Sequence, residues 1–473
     1  MHADRALCMI MSRGLNASAE LCRTRRMKRM FESKMRFFLV AFAALVLVLA
    51  SPVEAKMSEE ARQHSGRARA KIEKEDDSHS RYEISVITFG PGDQAFFKFG
   101  HNAIWVSDRQ RKKDFVYNFG TFGFHSGTLI SEFIQGRLRY WVSVKGLRQA
   151  LLSYEEEGRS ATAQVLNLSP EQEKTLAIKL RRGARRKNRE FAYHYYENNC
   201  STRVRDLVNE ITNGSLRAVS TGAAGFTWRE HTMRLTQDAL PVSLALDLVL
   251  GPGVDEKNTV WEEMFLPSIL NQTLRAAVVD TEGRRSPLVS HEYEVLSDAR
   301  PPEPTAPPLR WPWMLAASLS LGAFTLIQSL RAASKKNSPQ GRKRSRRIVW
   351  TAAFVSGLFL GGLGCCLSYL WLATNHEITY FNENILQFSP LALLLPVLVL
   401  VRAFAPAGVP AAERYAFLVS VACAFLALGG AVLGALIGWT QDTREFVAFA
   451  IPLWVSLAFA FYKLAESESS RVR

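Results

Sequence analysis

The sequence has 473 residues, of which 59 are Lys or Arg and 44 are Asp or Glu, for a formal net charge of +15. Hydrophobic residues make up 48% of the chain, which excludes a disordered protein and a small disulfide-stapled scaffold. The length suggests about two to three domains. The charge excess is typical of nucleic-acid binding, but its distribution along the chain favours another explanation.

Residues 1–55 are predicted to be a leader. Met35 and Arg36 precede an apolar run from Phe37 to Ala50, and the small residues of Pro52–Ala55 follow, as in a secretory signal peptide with its cleavage site. An uncleaved anchor is the alternative, and Met35 could be the true start. Both interpretations export the chain that follows.

Residues 56–80 are charged and poor in apolar residues, which predicts a linker, and an exported domain is expected over residues 81–300. Turn clusters and apolar alternation predict five strands: Tyr82–Phe89, His101–Ser107, Phe115–Phe119, Leu138–Val144 and Ala161–Leu168. One short helix is predicted around Leu129–Gln135, between the third and fourth strands. Ser169, Pro170 and Gln172 form a capping-box pattern for a helix that extends to about Lys187. The remainder, to about Pro301, is expected to be helical and irregular.

A proline-rich tether over residues 301–310 leads to a predicted transmembrane domain over residues 311–463 and a cytoplasmic tail over 464–473. Its apolar stretches approach the length that a bilayer requires: Pro312–Leu330, Ile348–Ala373, Pro390–Phe404, Tyr415–Gly438 and Phe446–Tyr462. Residues 331–347 contain eight basic residues and no acid, so this loop is predicted to be cytoplasmic. The exported domain then lies on the opposite, extracytoplasmic side of the membrane.

Cys200 is the one cysteine of the exported domain, which excludes a disulfide framework there. Asn198 or Asn199 is a suitable N-cap for a helix whose apolar residues recur with helical spacing, so Cys200 lies in its first turn. The helix N-terminus is expected to lower the pKa of its thiol, as in a cysteine nucleophile. The alternative is a structural buried cysteine.

A thiol nucleophile requires a base and a group that orients it. His101 begins a regular strand and shares a face with Ala103 and Trp105, which makes it the candidate base, and Asn118 on the next strand is the candidate third residue. A structural histidine and a turn asparagine are the alternatives. The sequence has neither metal-ligand spacing nor a glycine-rich phosphate loop, so no metal and no other cofactor is predicted.

Six segments, in this order, resemble the Lnb family of bacterial lipoprotein N-acyltransferases: Ile87–Asp93, Phe99–Trp105, Tyr117–Phe122, Gly136–Trp141, Asn199–Asp206 and His376–Phe388. The order of His, polar residue and Cys at a helix start also resembles circularly permuted NlpC/P60 enzymes. The resemblance implies an α+β chain, with a permuted NlpC/P60 (papain-like) exported domain followed by an all-α membrane domain of about five transmembrane helices. It also implies a multi-pass protein of the bacterial inner membrane, with the exported domain on the periplasmic side.

The resemblance also implies a reaction. Cys200, with His101 as base, would take a fatty acyl chain from a membrane phospholipid as a thioester. The acyl chain would then pass to the α-amine of the N-terminal diacylglyceryl-cysteine of a diacylated apolipoprotein. Backbone N–H groups near Cys200 would stabilise the oxyanion. Both substrates lie in the bilayer, so the membrane domain would keep the site at their level.

Substrate-binding residues are predicted in three groups. Basic side chains, which can hold phosphate oxygens, are Arg137, Arg139 and Arg203. Two asparagines, Asn102 and Asn199, adjoin the proposed base and nucleophile. An outward loop of the membrane half would line the lipid entrance with His376, Asn382 and Asn384. Salt bridges and a helix-connecting turn are the structural alternatives.

Two other functions remain open at this stage. The same pair of residues would serve a membrane-anchored cysteine peptidase or amidase that acts on cell-wall peptides, or Cys200 could be a core residue of a non-enzymatic envelope protein. Nucleic acid is not an expected partner. Residues 1–55 carry a net charge of +5 and the loop over 331–347 carries +8, so most of the excess is an orientation signal for a membrane protein.

Overall fold

The computed structural model describes residues 80–121, 135–137, 139–281, 283–297, 300–404, 411–438 and 441–472. The predicted leader, nearly all of the linker and most of the predicted helix around Leu129–Gln135 lie outside the described residues.

The described part of the exported domain is built on a seven-stranded antiparallel sheet, with a separate two-stranded hairpin. Its strands are β1 Tyr82–Phe89, β2 His101–Asp108, β3 Lys113–Thr121, β4 Arg139–Gly146, β5 Ala161–Leu166, β6 Glu190–Ala192, β7 Val278–Thr281, β8 Arg284–Pro287 and β9 Val289–Leu296. The spatial order is β6-β4-β3-β2-β1-β5-β9, and β7 pairs with β8.

The last three strands correct the expectation of a helical and irregular segment before Pro301. β9 pairs with β5 at the edge of the sheet, where half of its side chains remain exposed. Glu292 and Glu294 alternate with Tyr293 and Val295, but this alternation is short and was not recognised as a strand. Its pairing partner, more than 120 residues earlier in the chain, was not visible in the local pattern.

Eight helices follow the same chain order within the described part of the exported domain: α1 Leu147–Glu156, α2 Pro170–Gly183, α3 Cys200–Ile211, α4 Ser215–Val219, α5 Trp228–Thr236, α6 Leu240–Val249, α7 Val260–Glu263 and α8 Pro267–Ala276. Helices α2, α3 and α8 cover one face of the sheet, where they pack against Ile84 and Ile104. Helix α1 covers the opposite face, against Ile87 and Trp105. Strand alternation therefore gives the sheet two apolar faces. The capping box of α2 is present as predicted, but the helix ends at Gly183.

The membrane half has five helical segments that are long and apolar enough to cross a bilayer. They are α9 Trp311–Ala333, α10 Pro339–Ala373, a third segment over Asn384–Phe404, α13 Ala412–Ile437 and α14 Arg444–Val472. The third consists of α11 Asn384–Gln387, a 3-10 turn and α12 Leu394–Phe404.

Two segments that were expected to be loop or tail are helical. Helix α10 begins at Pro339, so the basic residues from Arg342 to Arg347 form its first turns instead of a loop. Helix α14 continues to Val472, through most of the predicted tail. Long basic side chains can extend from a helix end towards the membrane surface, so the charges still serve as an orientation signal.

The proline-rich segment over residues 301–310 packs against the exported domain. The carboxylate of Glu303 accepts hydrogen bonds from Arg234 and Ser268. Arg310 is buried and donates to the hydroxyl of Ser243. Polar contacts at Glu303 and Arg310 therefore hold the predicted tether against the exported domain.

A loop of the membrane half contacts the turn after α6. The N–H of Gly251 donates to the carbonyl of Ile378 at 2.7 Å. The side-chain amides of Asn382 and Asn384 donate to the carbonyl of Leu248, at 2.8 and 3.2 Å. These contacts satisfy carbonyl groups at the end of α6 and join the exported domain to the membrane half.

A methyl group at position 251 is expected to weaken this junction. A Cβ on Gly251 would lie 2.2 Å from the carbonyl oxygen of Tyr380, whereas a Cβ on Gly253 would meet no atom within 4 Å. Gly251→Ala should destabilise the full-length protein by about 1–3 kcal/mol, because backbone must move to relieve the overlap. Thermal unfolding in detergent measures this, with Gly253→Ala as the matched control. Equal midpoints for the two variants would contradict the contact.

Candidate functional site

Cys200 is the first residue of α3, and Asn199 caps this helix. The side-chain oxygen of Asn199 accepts hydrogen bonds from the N–H groups of Ser201 and Thr202, at 2.9 and 3.0 Å. The helix packs against β2 and β3, and Cys200 is only 8% exposed. The predicted position of the thiol in the first turn is therefore the observed one.

His101 and Asn118 are joined by a side-chain hydrogen bond. His101 is the first residue of β2, and Asn118 lies opposite Ala103 on β3, so both side chains are on one face of the sheet. Nε2 of His101 is 2.9 Å from Oδ1 of Asn118. An amide oxygen only accepts, so this contact assigns the proton to Nε2 and leaves Nδ1 as the basic nitrogen.

Gly120 lies where His101 and Cys200 approach each other. The register between β3 and β4 shifts at this residue, whose φ is +150°. A Cβ at position 120 would be 3.4 Å from Cε1 of His101 and 3.9 Å from Cβ of Cys200. Because glycine adds no side chain, the space between imidazole and thiol stays open. The structure thus brings the three predicted catalytic residues to one point.

The prediction of a lowered thiol pKa is wrong. Burial raises the pKa of Cys200, because the thiolate loses more solvation than its surroundings restore. The backbone N–H groups of Asn102, Cys200 and Ser201 point to the sulfur and act in the opposite direction, as does the charge of Arg159. Desolvation has the larger effect, so the thiol is protonated at neutral pH.

Burial also determines the state of the base. It lowers the pKa of His101 to about 3, and the nearby positive charge of Arg159 adds to the effect. The hydrogen bond to Asn118 raises the pKa by a smaller amount. The imidazole is therefore neutral at physiological pH and able to accept the proton of Cys200. The resting pair is thiol and imidazole instead of thiolate and imidazolium.

Tyrosines that the sequence analysis did not single out surround the thiol. The charge of a Cys200 thiolate would raise the pKa of Tyr140, Tyr154 and Tyr193, in addition to the larger effect of their burial. The rings of Tyr140 and Tyr193 stack with centroids 4.0 Å apart, and the hydroxyl of Tyr154 hydrogen-bonds with Asn118. The wall of the site is thus aromatic and uncharged. The aromatic run Phe191–Tyr196 was the one local signal for it.

The aromatic wall extends to the membrane half. A narrow cleft of about 40 Å³, with room for about one water molecule, is lined by Tyr140, Tyr193, Tyr195 and His376 among others. The ring centroids of Tyr195 and His376 are 6.5 Å apart. A Cβ on Gly136 would lie 2.8 Å from the backbone of Asn375, so the two halves meet closely here. His376 therefore lies in the wall that leads from the thiol to the membrane loop.

The predicted arginines differ in their surroundings. The guanidinium of Arg203 donates to Asn198 at 2.8 Å and lies 4.1 Å from the ring centroid of Phe191, which makes it half-buried and engaged. Arg139 is 79% exposed and pairs with Glu190 at 3.5 Å. Arg137 is exposed. None of these contacts directs the three cations to Cys200, and they remain predicted phosphate ligands.

The four asparagines predicted to bind substrate make hydrogen bonds within the fold. Asn102 is fully buried and donates to Thr88 at 2.9 Å, so only its backbone N–H reaches the thiol. The amide nitrogen of Asn199 donates to the carbonyls of Tyr195 and Phe265. Asn382 and Asn384 hold the turn after α6, as described above. These contacts position the four side chains within the fold, and their role in substrate binding stays a prediction.

These features define a multi-pass membrane protein with an exported α+β domain that contains a buried Cys-His-Asn arrangement. Residues 68–234 match the Lnb N-terminal periplasmic domain, and residues 340–462 match the Lnb transmembrane domain. The chain belongs to the Lnb family. It is thus an inner-membrane protein related to lipoprotein processing, with its N-terminal domain in the periplasm, as predicted. No curated protein and no solved structure matches it.

Labelling with iodoacetamide tests the state of the thiol. If Cys200 and His101 are both neutral, iodoacetamide should label Cys200 slowly at pH 7. The labelling rate should reach half of its maximum at a pH above the pKa of ~8.5 of a free cysteine. Peptide mass spectrometry separates Cys200 from the other cysteines. His101→Gln should leave the midpoint nearly unchanged, because a neutral imidazole contributes no charge. If the labelling rate of the wild type instead reached a plateau from about pH 5 upward, and His101→Gln abolished this plateau, the pair would be a thiolate and an imidazolium.

Proposed function

We propose that this protein is a lipoprotein N-acyltransferase. The acyl donor is a membrane phospholipid, and the acceptor is the α-amine of the N-terminal diacylglyceryl-cysteine of a diacylated apolipoprotein. The observation that carries the proposal is the neutral thiol and imidazole of Cys200 and His101, with Asn118 behind the base, at a site whose aromatic wall reaches the membrane half.

In the first half-reaction, Cys200 Sγ attacks the ester carbonyl of the phospholipid while its proton passes to Nδ1 of His101. The tetrahedral intermediate breaks the carbon–oxygen bond of the ester. The departing glycerol oxygen takes the proton from His101 and leaves as a lysophospholipid, with the acyl chain now on Cys200 as a thioester. A neutral pair suits this sequence because the base is free at the start of each turnover.

In the second half-reaction, the α-amine of the acceptor attacks the thioester carbonyl and gives a proton to His101. The carbon–sulfur bond breaks, and His101 returns the proton to the sulfur. The products are an amide-linked acyl chain and the free thiol of Cys200. Exclusion of water by the surrounding tyrosines favours the amine over hydrolysis of the thioester.

Backbone groups are available for the oxyanion of both intermediates. The N–H groups of Asn102 and Cys200 point to the sulfur, so they lie next to the carbon that the sulfur would attack. Such fixed donors stabilise charge that develops in the transition state. Asn102 is held in place by Thr88 and Cys200 by its helix cap, which supports a preorganised oxyanion hole.

The position of the site supports lipid substrates. Contacts at Gly136 and at Gly251 hold the exported domain against a loop of the membrane half. The cleft lined by His376 includes Tyr140 and Tyr193, whose pKa values also respond to the charge of Cys200. A phospholipid and a lipoprotein are both anchored in the bilayer, so neither has to be transferred into water to reach this site. A peptidase that acts on the cell wall would gain nothing from five membrane segments.

Mass spectrometry of N-terminal lipopeptides tests the function. In cells that lack their own N-acyltransferase, the wild type is expected to add one amide-linked acyl chain, and Cys200→Ala none, because the thioester cannot form. Cys365→Ala, which removes an exposed cysteine of α10, is the matched control and should equal the wild type. Absence of N-acylation with the wild type would refute the proposal.

Trapping of the intermediate tests the role of the base and separates the acyltransferase from a peptidase. Intact-protein mass spectrometry after exposure to phospholipid should find a fatty acyl chain on Cys200. His101→Gln should form this thioester about 10²- to 10⁴-fold more slowly, the usual contribution of a general base. Release of peptides from cell-wall fragments, without any fatty acyl adduct, would favour the peptidase.

A further inference from the structure

Arg159 is a buried cation that neither the sequence analysis nor the mechanism above uses. It lies between α1 and β5 and is 2% exposed. Nε donates to the carbonyl of Gly90 at 2.8 Å, and Nη1 donates to the carboxylate of Glu157 at 3.1 Å. The third nitrogen, Nη2, is buried without a hydrogen-bond partner among the described residues. Burial of a guanidinium without all of its hydrogen bonds destabilises the folded protein, so a functional role for this cation is worth testing.

Aromatic contacts connect Arg159 with the base. Its guanidinium carbon is 4.7 Å from the ring centroid of Tyr154 and 5.0 Å from that of Phe97. The ring of Tyr154 stacks on His101, with centroids 6.1 Å apart, and its hydroxyl reaches Asn118. The cation and the imidazole therefore lie beside the same aromatic ring, that of Tyr154.

A second arginine shares the structural role of Arg159 in these turns. Arg300 donates to the carbonyl of Glu157 at 3.0 Å and to that of Pro91, and it pairs with Asp93. It thus braces the same turns as Arg159, but from a half-buried position. A matched variant of Arg300 therefore separates this structural role from an effect of the buried charge.

We propose that Arg159 is an electrostatic positioning residue of the thiol site, an inference that rests on the proposed function. Its fixed charge stabilises the negative charge that appears on Cys200 as the proton leaves, and it keeps His101 unprotonated until that moment. A cation in surroundings of low dielectric acts strongly on nearby groups, and the unpartnered Nη2 leaves its charge only partly compensated.

The other groups around the pair are uncharged. Tyr140 on β4, Tyr154 on α1 and Tyr193 after β6 are protonated phenols, and the charge of a Cys200 thiolate acts on all three. Asn118 on β3 faces the imidazole. Among the described residues, Arg159 is the one charged side chain whose field lowers the pKa of both Cys200 and His101, and Glu157 is the acid that compensates it.

The test is the pH dependence of iodoacetamide labelling at Cys200 in the full-length protein. Arg159→Met should move the midpoint to higher pH and slow labelling at a fixed pH about three- to tenfold, because one pKa unit is a tenfold change in thiolate. Arg159→Lys, which retains the charge, should remain near the wild type. Arg300→Met is the matched control, since it loosens the same turns without a charge at the site. A similar shift in Arg159→Met and Arg300→Met would reduce Arg159 to a structural role.

A second variant keeps the proposal testable if Arg159→Met does not fold. Glu157→Gln removes the negative charge that compensates Arg159, at a side chain that is 36% exposed. It should move the midpoint in the opposite direction, to lower pH, by a smaller amount because solvent screens the carboxylate. An unchanged or higher midpoint would overturn the proposal. Labelling requires no acyl donor, so this result is independent of whether the wild type transfers an acyl chain.

Discussion

The geometry of the site depends on one amide, that of Asn199. Its oxygen closes the first turn of α3, and its nitrogen is held by the carbonyls of Tyr195 and Phe265, which come from separate parts of the chain. The cap therefore does more than complete a helix. It fixes the start of α3 between the aromatic segment and the segment before α8, so that the next residue, Cys200, faces Gly120 and His101.

Desolvation, more than the helix terminus, determines the chemistry of the pair. A helix N-terminus favours a thiolate by a modest amount that acts only on groups near the terminus, whereas burial penalises every charge in the site. The outcome is a protonated Cys200 beside a neutral His101. Such a site holds no ion pair at rest. In the proposed reaction, charge would separate only when a substrate carbonyl is present to receive electrons. This limits side reactions of the thiol in an oxidising compartment.

The sequence predicted the parts of the site that have local signals. Cys200 follows a capping residue, and His101 and Asn118 lie on strands whose alternation shows their shared face. The sheet and the five membrane segments were predictable for the same reason, from apolar periodicity and length. Arg159, Tyr154 and strand β9 were not, because their roles depend on pairings between segments far apart in the chain. The thiol pKa was predicted wrongly because a sequence pattern does not report how completely a side chain is buried.

The packing of residues 301–310 has a consequence for how substrates arrive. Hydrogen bonds of Glu303 and Arg310 hold this segment against the exported domain, and the turn after α6 is hydrogen-bonded to the membrane half. These contacts restrain rotation of the exported domain relative to the membrane half. If the proposed function holds, donor and acceptor would reach such a domain by lateral diffusion in the plane of the bilayer, without a swing of the exported domain between them.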